Sequence, residues 1–251
     1  MNELRITSRK NARIQQIRRL LTSRKERETT GLFVADGIKL LAEAVRWWKG
    51  LETVVLSDGV EADTPEGVEV IRVPGEIMEY ISPMETPQGA LFLCRLPEKT
   101  EFQPKPGLLV LDGIQDPGNL GTILRTADAL EVPVVLLEGC ADPYSHKVVR
   151  ASMGAVFRRS VVQTDWKNLY DLCSAAGIPI AVTALSDRAE DLRTADLSQM
   201  AAVIGSEGQG VRREILDAAD RELIIPMNTH CESLNAAVAA TIVMWQMKMI
   251  K

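Results

Sequence analysis

The 251-residue sequence is poor in aromatic side chains and in cysteine, and it contains no long apolar run. Aromatic residues make up 4% of the chain, which argues against nucleic-acid recognition dominated by base stacking on aromatic rings. The four cysteines are widely spaced and form no C-x-x-C pair, a pattern that favours free thiols in a reducing compartment over disulfides or a zinc site. The longest apolar run, AVAATIVMW, is about half as long as a membrane span. We therefore expect a cytoplasmic protein with no metal and no membrane attachment.

Two common nucleotide-binding signatures are also missing. The stretch IGSEGQGV, residues 204–211, has glycines that would let its backbone approach a ligand closely. It lacks the Gly-Lys-Ser/Thr ending of a P-loop, and its Glu207 would repel a bound phosphate. The stretch GIQDPGNLG, residues 113–121, does not have the G-x-G-x-x-G spacing of a dinucleotide-binding turn. These mismatches exclude a P-loop enzyme and count against a nicotinamide-dependent oxidoreductase or a Rossmann-type methyltransferase.

Positive charge is concentrated at the start of the chain. Residues 1–30 hold nine basic and three acidic side chains, although the whole chain has a formal net charge of −5. Such a strip is a candidate contact surface for a polyanion. It is equally compatible with a solvated helix face that balances an apolar stripe, and charge alone does not separate these two interpretations. The candidate contact residues are Arg9, Lys10, Arg13 and Arg18, with Lys39 further along the chain.

Alternating helical and strand patterns divide the sequence into two α/β parts. The first hundred residues have a basic helix and then strands at LFVADG, ETVVLS, VEVIRV and GALFLCRL. The Pro-rich stretch LPEKTEFQPKPG is the clearest linker signal. We therefore predict domains at residues 1–96 and 107–251, joined by a linker at 97–106.

Short, strongly apolar strands separated by amphipathic helices make up the second part. This pattern predicts a mostly parallel sheet covered on both faces, with helices from about residues 119 and 233 and a strand at FRRSVVQ. Ligands of such sheets bind beyond the carboxyl ends of the strands. The stretches DGIQDPGNLGTILR, GSEGQG and IPMNTHCESLNAA all follow predicted strands, so we expect the functional site there.

Three blocks in this part, NLGTILRTADAL, IGSEGQGV and IPMNTHCESLNAAVAA, closely resemble the three motifs of the SpoU (TrmH-like) RNA 2′-O-methyltransferases of the SPOUT superfamily. KVVRASMGAVF, between the first two blocks, also resembles that family, and LFVADGIKLLAEA resembles the start of its L30e-like RNA-binding domain. The resemblance implies a SPOUT-type parallel sheet with a C-terminal trefoil knot, preceded by a small L30e-like α/β domain. It also implies S-adenosylmethionine as cofactor, a homodimer and an RNA substrate.

The resemblance also assigns roles to individual residues. It implies catalytic roles for Arg125, Asn119, Glu207, Ser233 and Asn235, and contact with the cofactor for Ala184, Leu185, Gly205, Ser206, Glu207, Gly208, Gly210, Ile225, Met227, Leu234 and Asn235. Asn119 is expected to cap its helix, and Glu207 to accept a hydrogen bond from Asn119 or to hold Arg125. Ala236 and Ala237 depart from the frequent Val-Ser of the family, so one hydroxyl group is missing.

Together these features predict an enzyme that methylates a ribose 2′-hydroxyl of structured RNA, with 23S rRNA as the first candidate substrate. A tRNA substrate and a catalytically silent protein that binds S-adenosylmethionine and RNA are the alternatives. The presence of Asn119, Arg125, Glu207 and Asn235 argues against the silent protein.

Overall fold

The computed structural model describes residues 3–98, 101–228, 230–231 and 233–249. Residues 99 and 100 of the predicted linker lie outside this described part, as do residues 229 and 232 of the third sequence block. Among the described residues, no helix is both long and apolar enough to cross a membrane. All four cysteines are free thiols.

The elements follow one another in chain order. Those of the first hundred residues are β1 (Glu3–Arg5), α1 (Ala12–Thr22), α2 (Arg24–Thr30), β2 (Leu32–Asp36), α3 (Ile38–Trp47), β3 (Leu51–Ser57), β4 (Glu69–Val73), α4 (Gly75–Ile81) and β5 (Ala90–Arg95). They continue with β6 (Leu108–Asp112), α5 (Pro117–Ala129), β7 (Val134–Leu136), α6 (His146–Ala151), α7 (Ala155–Arg158), β8 (Val162–Gln163) and α8 (Trp166–Ala175). The last are β9 (Ile180–Thr183), β10 (Glu190–Asp191), β11 (Ala201–Gly205), α9 (Arg213–Asp217), β12 (Arg221–Ile224) and α10 (Ala236–Met249).

Internal contacts divide the chain into two units, and neither is continuous in sequence. The first unit consists of Met1–Lys99 and Asp142–Ser160, and the second of Thr100–Ala141 and Val161–Lys251. The helices α6 and α7 therefore pack with the first unit, although the predicted domain limits would assign them to residues 107–251. Those limits remain a prediction.

The first unit is built on a mixed five-stranded sheet with the strand order β1-β4-β3-β5-β2. The basic helix α1 begins after Asn11, whose side-chain oxygen accepts a hydrogen bond of 2.9 Å from the backbone N–H of Arg13. Its apolar stripe, formed by Ile14, Ile17, Leu20 and Leu21, is buried in the core of this unit. Because the stripe faces the core, the charged side chains of α1 are left on the surface.

Segment 142–160 completes the first unit with aromatic and ionic contacts. The ring of Phe33 lies 5.1 Å from the ring of Tyr144 and 6.3 Å from that of Phe157, between centroids. At the beginning of the segment, buried Arg27 forms an ion pair of 2.6 Å with Asp142. These contacts explain why FRRSVVQ is not one strand, because Phe157 is drawn into the aromatic cluster as part of α7 and only Val162–Gln163 remain as β8.

The second unit contains a seven-stranded sheet with the order β10-β12-β9-β11-β6-β7-β8, in which every pairing is parallel. Every residue of the two central strands, β6 and β11, is buried, as expected for strands covered on both faces. The predicted α/β class with a mostly parallel sheet is confirmed. The trefoil knot remains a prediction.

Candidate cofactor-binding site

The carboxyl ends of β6, β9, β11 and β12 meet at one edge of the parallel sheet, as parallel pairing requires. The glycine loop begins there, at the end of β11. Ser206 and Gly210 exchange two backbone hydrogen bonds of 2.9 and 3.1 Å, and Gly210 has a positive φ of 68°. Gly205 lies so close to the returning chain that a Cβ atom there would be 2.0 Å from the carbonyl carbon of Gly210. The loop is therefore a closed turn that requires a glycine at position 205.

A cavity of about 660 Å³ opens beside this loop. Ten of the predicted cofactor residues line it, namely Ala184, Leu185, Gly205, Ser206, Glu207, Gly208, Gly210, Ile225, Met227 and Leu234. Asn235 does not belong to the lining, whereas Ser233 does. The cavity thus combines exposed backbone from the glycine loop with apolar surface from the segment after β12.

Leu185 is held at the cavity although it is 70% exposed. The backbone N–H of Ala184 donates to the carbonyl of Leu223 at 2.9 Å, which continues the pairing of β9 with β12 past the strand end. Glu222 of β12 accepts hydrogen bonds from the hydroxyl of Ser186 and from the guanidinium of Arg188. These polar contacts fix the turn that presents an exposed apolar side chain toward the cavity.

Three predicted catalytic residues form a hydrogen-bonded chain beside the cavity. The side-chain oxygen of Asn235 accepts from the backbone N–H groups of Ala237 at 2.9 Å and Val238 at 3.3 Å, so Asn235 caps α10. Its amide nitrogen donates to the side-chain oxygen of Asn119 at 2.9 Å. The amide nitrogen of Asn119 in turn donates to Glu207. The helix cap thereby fixes one amide, which orients the second amide toward the carboxylate.

The prediction that Asn119 caps its helix is wrong. The cap is Asp116, whose carboxylate accepts from the backbone N–H of Asn119 at 2.7 Å, and Pro117 occupies the first helical turn, where a missing N–H costs nothing. The helix therefore begins two residues earlier than predicted, and the side chain of Asn119 is free to bind Glu207. Similarly, α10 begins at Ala236 rather than near residue 233 because Asn235 is its cap.

Arg125 is placed differently from the other predicted catalytic residues. It lies on α5, the helix that carries Asn119, but it is exposed and does not line the cavity. Of the two partners predicted for Glu207, Asn119 is the one observed, and within the described part of the chain Arg125 makes no hydrogen bond or ion pair. Its guanidinium is therefore available to a ligand approaching from solvent.

Asp112 and Arg212 form a contact that the sequence does not predict. Asp112 ends β6 and is 2% exposed. It accepts from the backbone N–H of Arg212 at 2.8 Å and from the guanidinium Nε at 2.7 Å. Because Arg212 directly follows the glycine loop, this buried carboxylate anchors the returning end of that loop. The signal in the sequence was a carboxylate ending the apolar strand LLVLD.

The candidate RNA-contact residues lie in the first unit, where they have different surroundings. Arg9 and Arg18 lie over the ring of Tyr80, at 5.0 and 4.2 Å from its centroid. Arg13 forms an ion pair of 2.8 Å with Glu69, and Lys10 is exposed. Lys39 lines a second cavity at the start of α3.

Tyr80, which sequence reasoning missed, holds part of this basic surface in place. Hydrogen bonds from Gln15 and Arg18 lower the pKa of its phenol. Since both partners lie on α1, these contacts orient the basic face of that helix.

Within the described ranges, the His, Cys, Asp and Glu side chains form no group of three or more that could hold a metal ion.

Both parts of the chain match known protein families. A family model described as the SpoU rRNA Methylase family matches residues 106–245, and one described as the MRM3-like substrate binding domain matches residues 11–91. The 23S rRNA (guanosine(2553)-2′-O)-methyltransferase RlmP of Bacillus subtilis (strain 168) is 31% identical over 246 residues, covering 97% of this chain and 98% of that protein. The human protein named rRNA methyltransferase 3, mitochondrial, is 28% identical over 304 residues, covering 94% and 72%.

A solved structure also matches nearly the whole chain. The crystal structure of an AdoMet-bound rRNA methyltransferase from Sinorhizobium meliloti superposes with a TM-score of 0.86 at 28% identity. The match covers 98% of this chain and 97% of that one.

Proposed function

Because the chain belongs to the SpoU rRNA methylase family, we propose that it transfers a methyl group from S-adenosylmethionine to a ribose 2′-hydroxyl of 23S rRNA. The observation that carries this proposal is the chain of Asn235, Asn119 and Glu207 beside the cavity at the sheet edge. Oriented polar groups at a cavity that also has apolar walls are the arrangement expected of a binding site for a small organic ligand.

The residues present fit S-adenosylmethionine. The cavity of about 660 Å³ lies within the usual range of ligand sites, roughly 300–1,000 Å³. Ile225, Met227 and Leu234 would cover the apolar parts of the cofactor, and the backbone of the glycine loop would bind its polar groups. Glu207 at the cavity adds negative charge that would favour a cationic ligand. When bound, the cofactor supplies an electrophilic methyl group on a sulfonium.

Arg125 is proposed to bind the RNA at the reacting nucleotide. A guanidinium keeps its proton in proteins, so its natural role is to clamp a phosphate and to stabilise negative charge that develops on the ribose oxygen. An exposed position with no partner among the described residues suits this role, because no internal ion pair has to be broken. Ser233, at the cavity, and Asn235 complete the proposed polar set.

We assign RNA selection to residues 1–96 and catalysis to 107–251, with 97–106 as the linker. The match of residues 11–91 to a substrate-binding domain supports this division, and so does the exposed basic face of α1, with Arg9, Lys10, Arg13 and Arg18. A cytoplasmic location follows from the proposed substrate.

The methyl-transfer assay tests the proposal together with the role of Glu207. Wild-type protein and Glu207→Gln are incubated with labelled S-adenosylmethionine and transcripts of 23S rRNA, 16S rRNA and tRNA. We expect wild type to label 23S rRNA and to make one ribose resistant to alkaline cleavage. Glutamine keeps an acceptor for Asn119 but removes the charge, so kcat should fall about 10- to 100-fold, less than for a group touching the developing charge. The Kd for the cofactor should change much less.

Other results of this assay would support one of the alternative functions. Label in tRNA alone would establish the tRNA alternative, and cofactor binding without transfer to any RNA would favour the silent protein. Equal losses of kcat and cofactor affinity in Glu207→Gln would assign this residue to cofactor binding alone.

We also propose a homodimer formed through α10. Three large apolar side chains on one face of this helix are exposed, Val238 at 48%, Trp245 at 57% and Met249 at 61%. Their helical spacing places them in one stripe, and a second copy of the chain would cover it.

Sedimentation velocity tests the dimer. Wild type should sediment as twice the 27.6 kDa chain, and Trp245→Glu, which places a charge in the stripe, should sediment as the monomer. Trp47→Glu is the matched control because Trp47 is another exposed tryptophan, on α3, at 48%. A wild-type monomer at micromolar concentration, or a dimer that Trp245→Glu leaves intact, would contradict the proposal.

A further inference from the structure

The second cavity, about 470 Å³ in volume, belongs to the first unit. Asp36 and Lys39 come to it from the end of β2 and the start of α3, and Met84 and Gln88 from the loop before β5. Arg150 of α6 and Met153, in the turn that follows, also line it. The remaining lining residues come from α3 and its start, namely Gly37, Leu40, Ala42 and Glu43. The sequence block KVVRASMGAVF, which supplies nothing to the cofactor cavity, thus supplies two side chains to this second one.

The charged side chains that line this cavity are Lys39, Arg150, Asp36 and Glu43, and Glu43 is already paired with Arg158 of α7. The two cations and Asp36 therefore suit a ligand that carries an anionic group beside a hydrogen-bond donor. Lys39 and Arg150 are both exposed, and within the described chain neither forms a salt bridge with a carboxylate. Asp36 is half-buried, and the Ser82 hydroxyl donates to one of its oxygens at 2.7 Å. Burial raises the pKa of Asp36, and the Ser82 hydrogen bond and the charge of Arg150 offset part of that effect. The side-chain oxygen of Gln88 accepts from the backbone N–H of Ile38, so its amide nitrogen remains available to a ligand.

The apolar part of the cavity contains an uncommon backbone conformation. Met153 is 50% exposed and has a positive φ of 50°, which few residues other than glycine adopt. Such conformations cost free energy and are concentrated at functional sites. Here the conformation holds a flexible, polarisable side chain at the cavity that also contains Met84, and methionine packs well against flat aromatic groups.

We propose that this cavity binds one unpaired nucleotide of the RNA substrate. Lys39 and Arg150 hold the flanking phosphates, the two methionines pack against the base, and Asp36 and Gln88 bind its polar edge. Phosphate contacts of this kind give affinity, while contacts to the base edge give selectivity, and single-stranded RNA exposes both. The inference rests on the proposed function, since it assumes that RNA is the substrate.

The test measures binding of a 23S rRNA transcript by the full-length protein over a series of KCl concentrations. The double variant Lys39→Ala/Arg150→Ala should bind about tenfold more weakly, and its slope of log K against log salt should fall by about two, one for each lost phosphate contact. Lys49→Ala, an exposed lysine beyond the end of α3, is the matched control and should behave as wild type. Unchanged affinity and slope in the double variant would overturn the inference.

Asp36→Asn separates the base contact from the phosphate contacts. Asparagine keeps an acceptor for Ser82, so the fold should persist, and a melting curve checks that it does. Loss of a base contact should weaken binding about tenfold while the salt slope stays constant. Tighter binding would show that Asp36 only repels the RNA backbone, and would overturn the base contact.

Cross-linking locates the nucleotide directly. Ultraviolet irradiation of the wild-type complex followed by trypsin should attach a nucleotide to the peptide of residues 151–158, which contains Met153. Cross-links confined to peptides of α1 would contradict the proposed site. If the transcript binds through this cavity but gains no methyl group, the proposed function fails and the inference stands. If the transcript is methylated while the cavity variants bind it normally, the proposed function stands and the inference fails. Failure of the wild-type protein to bind the transcript would overturn both.

Discussion

Replacing Gly205 by alanine is expected to weaken cofactor binding strongly and to destabilise the second unit. The added Cβ would lie 2.0–2.2 Å from backbone atoms of Gly210 and Val211, and backbone cannot move aside as a flexible side chain can. The glycine loop must therefore open, which disrupts one wall of the cofactor cavity. We expect the Kd for S-adenosylmethionine to rise at least about 100-fold, and overpacking of this kind to cost about 1–3 kcal/mol of folding free energy. Calorimetric titration and thermal unfolding measure the two effects.

Gly208 is the control within the same loop. A Cβ atom at Gly208 would have no neighbour within 4 Å, so Gly208→Ala should keep the wild-type melting temperature. Any loss of cofactor affinity in Gly208→Ala would then report direct contact with the ligand. Equal destabilisation by alanine at positions 205 and 208 would show that the close approach at Gly205 is absent in solution.

Replacing Arg125 by alanine is expected to lower kcat for RNA methylation by about 10²–10³-fold, the usual loss when a group that stabilises developing charge is removed. The side chain has no internal partner among the described residues, so its removal should leave the fold and the Kd for S-adenosylmethionine unchanged. Single-turnover methyl transfer at saturating cofactor measures the loss. Arg125→Lys should recover only part of the rate, because an ammonium cannot clamp a phosphate through two parallel hydrogen bonds.

Thr122→Ala is the matched control on α5, one turn before Arg125 and also exposed. It should stay within about twofold of wild type, because Thr122 has no assigned role at the site and substitutions of exposed residues usually have small effects. If Arg125→Ala raised only KM for RNA and left kcat intact, the residue would belong to RNA binding and not to the reaction step.

The arrangement of the second unit could be predicted because its signals are local. Buried parallel strands such as LLVLD and AAVIG are short apolar runs, and the residues that follow them must meet at one sheet edge. Ten of the eleven predicted cofactor residues consequently line one cavity. The Asn119–Glu207 contact was predictable for the same reason, since each residue follows a strand of that sheet.

What could not be predicted depends on contacts between distant segments. Strand β1 is only three residues long and forms because it pairs with β4, so no local sequence pattern predicts it. The anchoring of Arg212 by Asp112 requires knowing that β6 and β11 are neighbours. Asp116 was overlooked as a cap because Asn119 is an equally good capping residue, and only the position of Pro117 decides between them.

The return of segment 142–160 to the first unit affects the order in which the protein can fold during synthesis. Phe33 and Trp48 leave the ribosome early, but Tyr144 and Phe157, which share their aromatic cluster, follow only after β6 and β7 have been made. At that stage β11, the other neighbour of β6, has not yet been translated. Nascent chains usually fold unit by unit from the N-terminus. Here β6 and β7 are already made before the first unit can be completed, and the edge of β6 that later pairs with β11 is still unpaired. Such edges can pair with other chains, so we expect the newly made protein to be most prone to aggregation during this interval.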